Sequence, residues 1–229
     1  MKITLTQEAL NHGLQIVNRV ITTRGQLPIL ANVLITATKT GVTLSATNLE
    51  MGLRIDIGGR VETEGSLTVP AKNLAEFTGS LASGNVILQA ENDKLKIIGG
   101  KSTANFAGIS ASEFPVLPTV GAHHDTPLLN SGLIKQIATQ VAFAAATDES
   151  RPVLTGVQFT NHNDQFSIVA TDGFRMSRKI ISNFKFQISN SLILPAKTIQ
   201  ELARLVGDDK KPEVIMELTT QNNQVIFGI

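Results

Sequence analysis

The sequence predicts an α+β protein made of two copies of one unit, each with antiparallel sheet and two helices on one face. Three observations carry this. First, "LPILANVLI" (27–35) matches "RPVLTGVQF" (151–159) at an offset of 124, with Pro28 on Pro152, Leu30 on Leu154 and Val33 on Val157. Second, "SLTVPAKNLAEFTGSL" (66–81) falls on "SLILPAKTIQELARLV" (191–206) at 125, and "ENDKLKI" (91–97) on "QNNQVIF" (221–227) at 130. The order is kept and the offset drifts only through loops. Third, the apolar period inside each copy alternates between helical and strand spacing, in the order helix, strands, helix, strands. Solenoids repeat at about 20–50 residues, so a period this long marks a duplicated globular domain.

The elements follow in order. Thr6 caps a helix from Gln7 to about Val20, with Leu10, Leu14 and Val17 at helical spacing. Strands are expected at 31–38, 41–47, 53–61 and 66–69. Pro70 opens a second helix with Leu74, Phe77 and Leu81, a place that suits a residue without an N–H. Strands at 85–90, 94–99 and 101–107 complete the first unit. In the second, Ser131 caps a helix from Leu133 to about Ala145, and Pro195 opens one carrying Ile199, Leu202 and Val206. "SIVATDGFRMS" (167–177) reads as two β-runs around an Asp-Gly hairpin turn. Its counterpart is "TLSATNLEMGL" (43–53), which sets Asp172 on Asn48. The stretch 109–132, with three Pro and two His, reads as a linker, giving domains at 1–120 and 121–229. The second unit ends at "QVIFGI", where the first continues into its 101–107 strand and "SEFP". The expectation is a fragment cut about one strand short.

Composition narrows the function. At 42% hydrophobic and 17% charged the chain can bury a core. Without Cys it has no disulfide or thiolate metal site. No membrane-length apolar run or signal peptide is present, so a soluble cytoplasmic protein without membrane contact is expected. A net charge of +1 gives no bulk attraction to nucleic acid; any DNA contact depends on local placement. The four His (His12, His123, His124, His162) have no metal spacing, and no nucleophile elbow, P-loop or Rossmann pattern occurs. Asp172 has a turn role and no catalytic partner. The reading is a non-enzyme with no catalytic residue, no metal and no cofactor.

The helix faces hold the remaining signal. The first unit offers Gln7, Asn11, Gln15, Asn18, Arg19, Lys72 and Asn73, and the second Lys135, Gln136, Thr139, Gln140, Lys197, Gln200 and Arg204. Lys72 and Lys197 occupy equivalent Pro-Ala-Lys stations. Such faces are either ordinary solvated surface or a set of phosphate and water contacts that reads no bases.

"LPILANVLI", "TVPAKNLAEF", "SEFP", "RPVLTGV", "VATDGFRMS" and "LPAKTIQEL" together resemble the bacterial sliding clamp family, the beta subunit of DNA polymerase III. The resemblance spans the chain in order. It implies a DNA-clamp fold in which three similar domains per chain form a head-to-tail dimeric ring around duplex DNA, with helices lining the hole. This chain would supply domain one and most of domain two, so alone it is not expected to close a ring. The implied function is a non-catalytic processivity factor that tethers the replicative polymerase. Implied partners are duplex DNA, DNA polymerase III, other polymerases, the clamp loader and repair factors, the proteins docking through short peptide motifs. The resemblance places DNA contacts at Arg24, Lys72, Arg151, Lys197 and Arg204. It places the domain-two wall of the peptide pocket at Leu154, Thr171, Gly173, Phe174, Arg175 and Met176, although Leu154 and Met176 would serve equally as core. The chain departs from the family at Phe174, where His is common, and at Asp148, Pro152 and Val153 in the DNA-side loop. The alternative is a duplicated α+β peptide-binding module without a DNA role.

Overall fold

The computed structural model describes residues 1–21, 27–118, 128–162, 165–182, 191–207, 213–219 and 224–229. It divides into two units, Met1–Leu117 and Pro118–Ile229. Unit one runs β1 (Lys2–Thr6), α1 (Gln7–Val17), β2 (Asn32–Thr38), β3 (Gly41–Thr47), β4 (Gly52–Asp56), β5 (Arg60–Thr63), β6 (Gly65–Pro70), α2 (Ala71–Ser80), β7 (Asn85–Glu91), β8 (Lys94–Gly99) and β9 (Ser102–Ala107). Its strands form two antiparallel sheets, β4-β3-β2-β6 and β5-β1-β7-β8-β9. Unit two runs β10 (Leu128–Asn130), α3 (Ser131–Gln140), β11 (Gly156–His162), β12 (Gln165–Thr171), β13 (Met176–Ser182), β14 (Leu192–Pro195), α4 (Ala196–Val206), β15 (Glu213–Thr219) and β16 (Gln224–Gly228). Its sheets are β13-β12-β11-β14 and β10-β15-β16.

The two units share topology and register. Thr47 faces Gly52 as Thr171 faces Met176, and Asn32 faces Pro70 as Gly156 faces Pro195. Leu5 faces Val86 as Leu129 faces Val214. Each unit has its own core, filled from both sheets and from the inner stripes of both helices. In unit one Leu10, Leu14, Val17 and Leu74 meet Ile35, Leu44, Leu88 and Ile97. In unit two Ile134, Ile137, Ile199 and Leu202 meet Val157, Ile168, Val214 and Met216. Period-two burial in the strands and the helical stripes together account for the α+β layering. No described helix is long and apolar enough to cross a membrane.

Several local expectations are corrected. The expected strand at 53–61 is two strands in different sheets. Gly58 (φ 67°) and Gly59 (φ 124°) carry the chain between them through backbone angles that other residues rarely adopt. α1 stops at Val17 rather than near Val20, and α3 at Gln140 rather than near Ala145, the latter followed by a 3₁₀ turn at Ala142–Ala144. The cap of α3 is Asn130, whose side-chain Oδ1 accepts from the Gly132 N–H, not Ser131. Thr6 does cap α1, accepting from the Ala9 N–H. Pro70 and Pro195 stand one residue before their helices and close the preceding strands. Gln7 is not on the solvent face. It is buried at 8% exposure, and its Nε2 donates to the Thr78 carbonyl oxygen at 2.9 Å, tying α1 to α2.

The repeated turn preserves its hydrogen bonds as well as its place. In unit one the Thr47 hydroxyl donates to the Met51 carbonyl and accepts from the Leu49 N–H, while the Asn48 side-chain oxygen accepts from Glu50 and Met51. In unit two the Thr171 hydroxyl donates to the Arg175 carbonyl and accepts from the Gly173 N–H, while Asp172 accepts from Phe174 and Arg175. The connection is four residues long, so Phe174 and Arg175 lie in the turn and not in the strand. Its second residue has positive φ in both copies, Gly173 at 92° and Leu49 at 75°.

This geometry sets the sign of three substitutions. Leu49 is 62% exposed, so Leu49→Gly removes left-handed strain with little loss of burial and should raise stability by about 1 kcal/mol, while Gly173→Ala should lower it by about the same. Thermal unfolding of both variants checks the pair; a lower midpoint for Leu49→Gly would contradict it. Gln7→Ala removes the buried hydrogen bond that joins α1 to α2, while the Thr78 carbonyl keeps the Leu81 N–H as a donor, so it should cost roughly 0.5–1.5 kcal/mol, measured as a shift in urea midpoint at unchanged slope.

Candidate nucleic-acid and peptide interfaces

The polar helix faces present few uncompensated charges. Lys72 extends from the first turn of α2, its Nζ 4.0 Å from Glu76 Oε1. Lys197 occupies the same place on α4, with Nζ 3.8 Å from Glu149 Oε1. Arg204, in the last turn of α4, hydrogen-bonds Glu201 through Nη1. All three cations are mostly exposed, so these ion pairs hold them weakly and leave them able to exchange partners. Gln15, Asn73, Gln136 and Thr139 are exposed beside them. Gln140 is engaged: its carbonyl accepts from the Ser177 hydroxyl and its side-chain oxygen from Lys179 Nζ. Arg24 lies outside the described residues.

Five of the six pocket residues, Thr171, Gly173, Phe174, Arg175 and Met176, lie on the β12–β13 turn. Asp172 fixes this turn from inside. Backbone N–H groups of Arg175 and Phe174, then the Arg175 charge, hold its carboxyl below the usual range and keep it an ionised acceptor. Arg175 is locked in turn: its Nε donates to Asp172 Oδ2 at 3.0 Å and its Nη2 to the Phe143 carbonyl at 3.2 Å. The guanidinium carbon also stands 5.6 Å from the centre of the Phe143 ring, within cation–π range.

Leu154 lies ahead of β11. It sits in a 3₁₀ turn, Pro152–Thr155, whose Leu154 carbonyl accepts from the Ala146 N–H. Leu154 is half-buried, whereas Met176 is 67% and Phe174 99% exposed, so burial in the core does not account for either of the latter. Phe143 and Val153 are exposed too, at 51% and 68%. Phe143 adjoins the turn that carries Phe174 and Met176, because Arg175 bonds its carbonyl and stands over its ring. A side chain grown on Gly173 would meet Arg151 Nη1 at 3.5 Å, which places Arg151 against this turn.

Sequence reasoning missed Phe143, which falls inside the helix expected to run to about Ala145. In the structure it follows α3, exposed between the buried pairs Val141-Ala142 and Ala144-Ala145.

Residues 1–118 match the DNA polymerase III beta subunit N-terminal domain and residues 128–229 its central domain. Among curated proteins, the beta sliding clamp of Bacillus subtilis is 28% identical, aligned with 99% of this chain and 62% of its own length. That of Synechocystis is 31% identical, aligned with 100% of this chain and 63% of its own length. Among solved structures, the sliding clamps of Bacillus subtilis and Caulobacter crescentus each superpose on 100% of this chain and 62% of their own at a TM-score of 0.88, with 27% and 30% identity. The chain thus spans about 62% of the length of such relatives. With both family domains matched in order over nearly its whole length, the chain belongs to the DNA polymerase III beta subunit family.

Proposed function

We propose that this chain acts, within a complete sliding clamp, as part of a ring that encircles duplex DNA and tethers the replicative polymerase. The observation that carries this reading is the in-order superposition of both units on sliding clamps at a TM-score of 0.88. The role is topological and needs no catalysis. A closed ring cannot leave DNA sideways, so weak, sequence-blind contacts suffice and sliding stays easy. Lys72, Lys197, Arg204, Arg151 and Arg24 are the proposed phosphate contacts; Lys72, Lys197 and Arg204 lie on the helices that would face the hole. The three domains and homodimeric closure belong to the complete protein, with this chain as its first two domains.

The second half of the reading is docking. Leu154, Thr171, Gly173, Phe174, Arg175 and Met176 form the domain-two wall of a site for short apolar-anchored peptides, carried by DNA polymerase III, other polymerases, the clamp loader and repair factors. The exposed Phe174 and Met176 support this, because large apolar groups held in water on a rigid turn are poised for burial by a partner. The exposed helix-face cations favour the clamp reading over a peptide-binding module with no DNA role.

Two measurements test the halves separately. Replacing Lys72 and Lys197 by Ala should weaken DNA binding equally on unrelated sequences and flatten the dependence of log K on log salt by roughly 0.9 for each phosphate no longer neutralised. Sequence preference, or an unchanged salt slope, would overturn the DNA half. Leu154→Asp, which sets a charge at a half-buried apolar position, should abolish binding of a labelled apolar-anchored peptide by a folded full-length clamp. Unchanged affinity would overturn the docking half.

A further inference from the structure

On unit one, away from the helices, the outer face of the β4-β3-β2-β6 sheet carries a groove of about 270 Å³. Val33, Ile35, Val42 and Leu44 point into the core, so the alternate residues Leu34, Thr36, Thr43 and Ser45 line the opposite face. They stand in two cross-strand rows: Leu34, Ser45 and Arg54 across β2, β3 and β4, and Thr36, Thr43 and Asp56 beside them. The chain after β9 returns across this face. It is pinned where Thr68 and Ile109 exchange both backbone hydrogen bonds and the Thr68 hydroxyl donates to the Ile109 carbonyl. Phe114, Pro115, Val116 and Leu117 then form the apolar wall opposite the polar rows.

Two polar side chains of this groove are open to a ligand. Ser45 is buried at 7% exposure, yet its hydroxyl has no hydrogen-bond partner among the described residues, although it lines an open cavity. Arg54, directly across the ladder from Ser45, is exposed at the groove and has no hydrogen bond or ion pair among the described residues. The second unit supplies an internal control. Arg178 occupies the position equivalent to Arg54, and there its Nε donates to the Ser167 hydroxyl at 3.0 Å. The same scaffold thus satisfies this guanidinium in one copy and leaves it open at a groove in the other.

We propose that the groove binds the C-terminal residue of a partner polypeptide, its α-carboxylate on Arg54 and the Ser45 hydroxyl and its apolar side chain against Phe114 and Leu117. A guanidinium fork and a hydroxyl donor match a carboxylate. Asp56 lies in the adjacent row, where Thr43 donates to its Oδ1 at 2.7 Å; that carboxylate disfavours a dianion such as phosphate. The volume suits a single large side chain. The wall ends in Val116, 93% exposed, so the groove opens to solvent and lets the rest of a chain leave it. Capture of a C-terminal carboxylate is an established mode of peptide recognition. The site lies within unit one and is independent of the proposed DNA and docking contacts.

The test is titration by NMR with three probes: acetyl-Gly-Gly-Phe with a free carboxylate, its C-terminal amide, and 3-phenylpropionate. The free-acid peptide should shift the amide resonances of Ser45, Arg54 and Phe114 saturably, and amidation should weaken binding about tenfold or more, as expected for loss of a charge-assisted bond. Arg54→Gln and Ser45→Ala should each weaken it, while Arg178→Gln should not. Equal binding of acid and amide, or full binding by Arg54→Gln, would overturn the site. Equal or tighter binding of 3-phenylpropionate would overturn the chain-end assignment in favour of a small apolar acid.

Discussion

Each unit depends on one packing constraint: two short helices must bury their apolar stripes against sheets that are themselves short. α1 and α2 reach full burial at Leu10, Leu14, Val17 and Leu74 only because both sheets of unit one converge on them. Unit two repeats the solution around Ile134, Ile137, Ile199 and Leu202. With one stripe committed to the core, the remaining helix surface is left polar. The buried bond from Gln7 to the Thr78 carbonyl fixes the helices to each other, where apolar contact alone would let them slide.

Much of this was legible in the residues. The 124-residue offset revealed the duplication, and it carried through to strand order, cross-strand register and the hydrogen bonds of the Thr-Asx turn. The misreadings have physical causes. Residues 53–61 alternate like one strand, and only the two glycines at 58 and 59 signal a change of sheet. Gln7 is polar by type, so its burial depended on a carbonyl 71 residues away that no local pattern announces. At the turn, Thr171 to Met176 could be found from the sequence, but the clasp of Arg175 on Phe143 joins residues 32 apart and is visible only in three dimensions.

The electrostatics are consistent with the proposed role. Lys72, Lys197 and Arg204 each rest beside an exposed or partly exposed carboxylate. Such pairs are weak enough for a passing phosphate to replace the acid, and they lower the gain from each phosphate bound. A protein meant to stay in one place on DNA would hold bare, clustered cations. One meant to move needs many small contacts that are exchanged freely, with retention supplied by ring closure.

The central claim is that the polar helix faces of both units are the surface offered to DNA. Photo-crosslinking tests it most directly. A benzophenone amino acid is placed singly at Gln15, Asn73, Gln136 or Thr139 on the helix faces, and at Lys96 or Gln158 on exposed sheet positions, with a random-sequence duplex at low salt. Crosslinks from helix positions in both units, and none above background from the sheet positions, are the expected result. Crosslinks from Lys96 or Gln158, or from one unit alone, would contradict it.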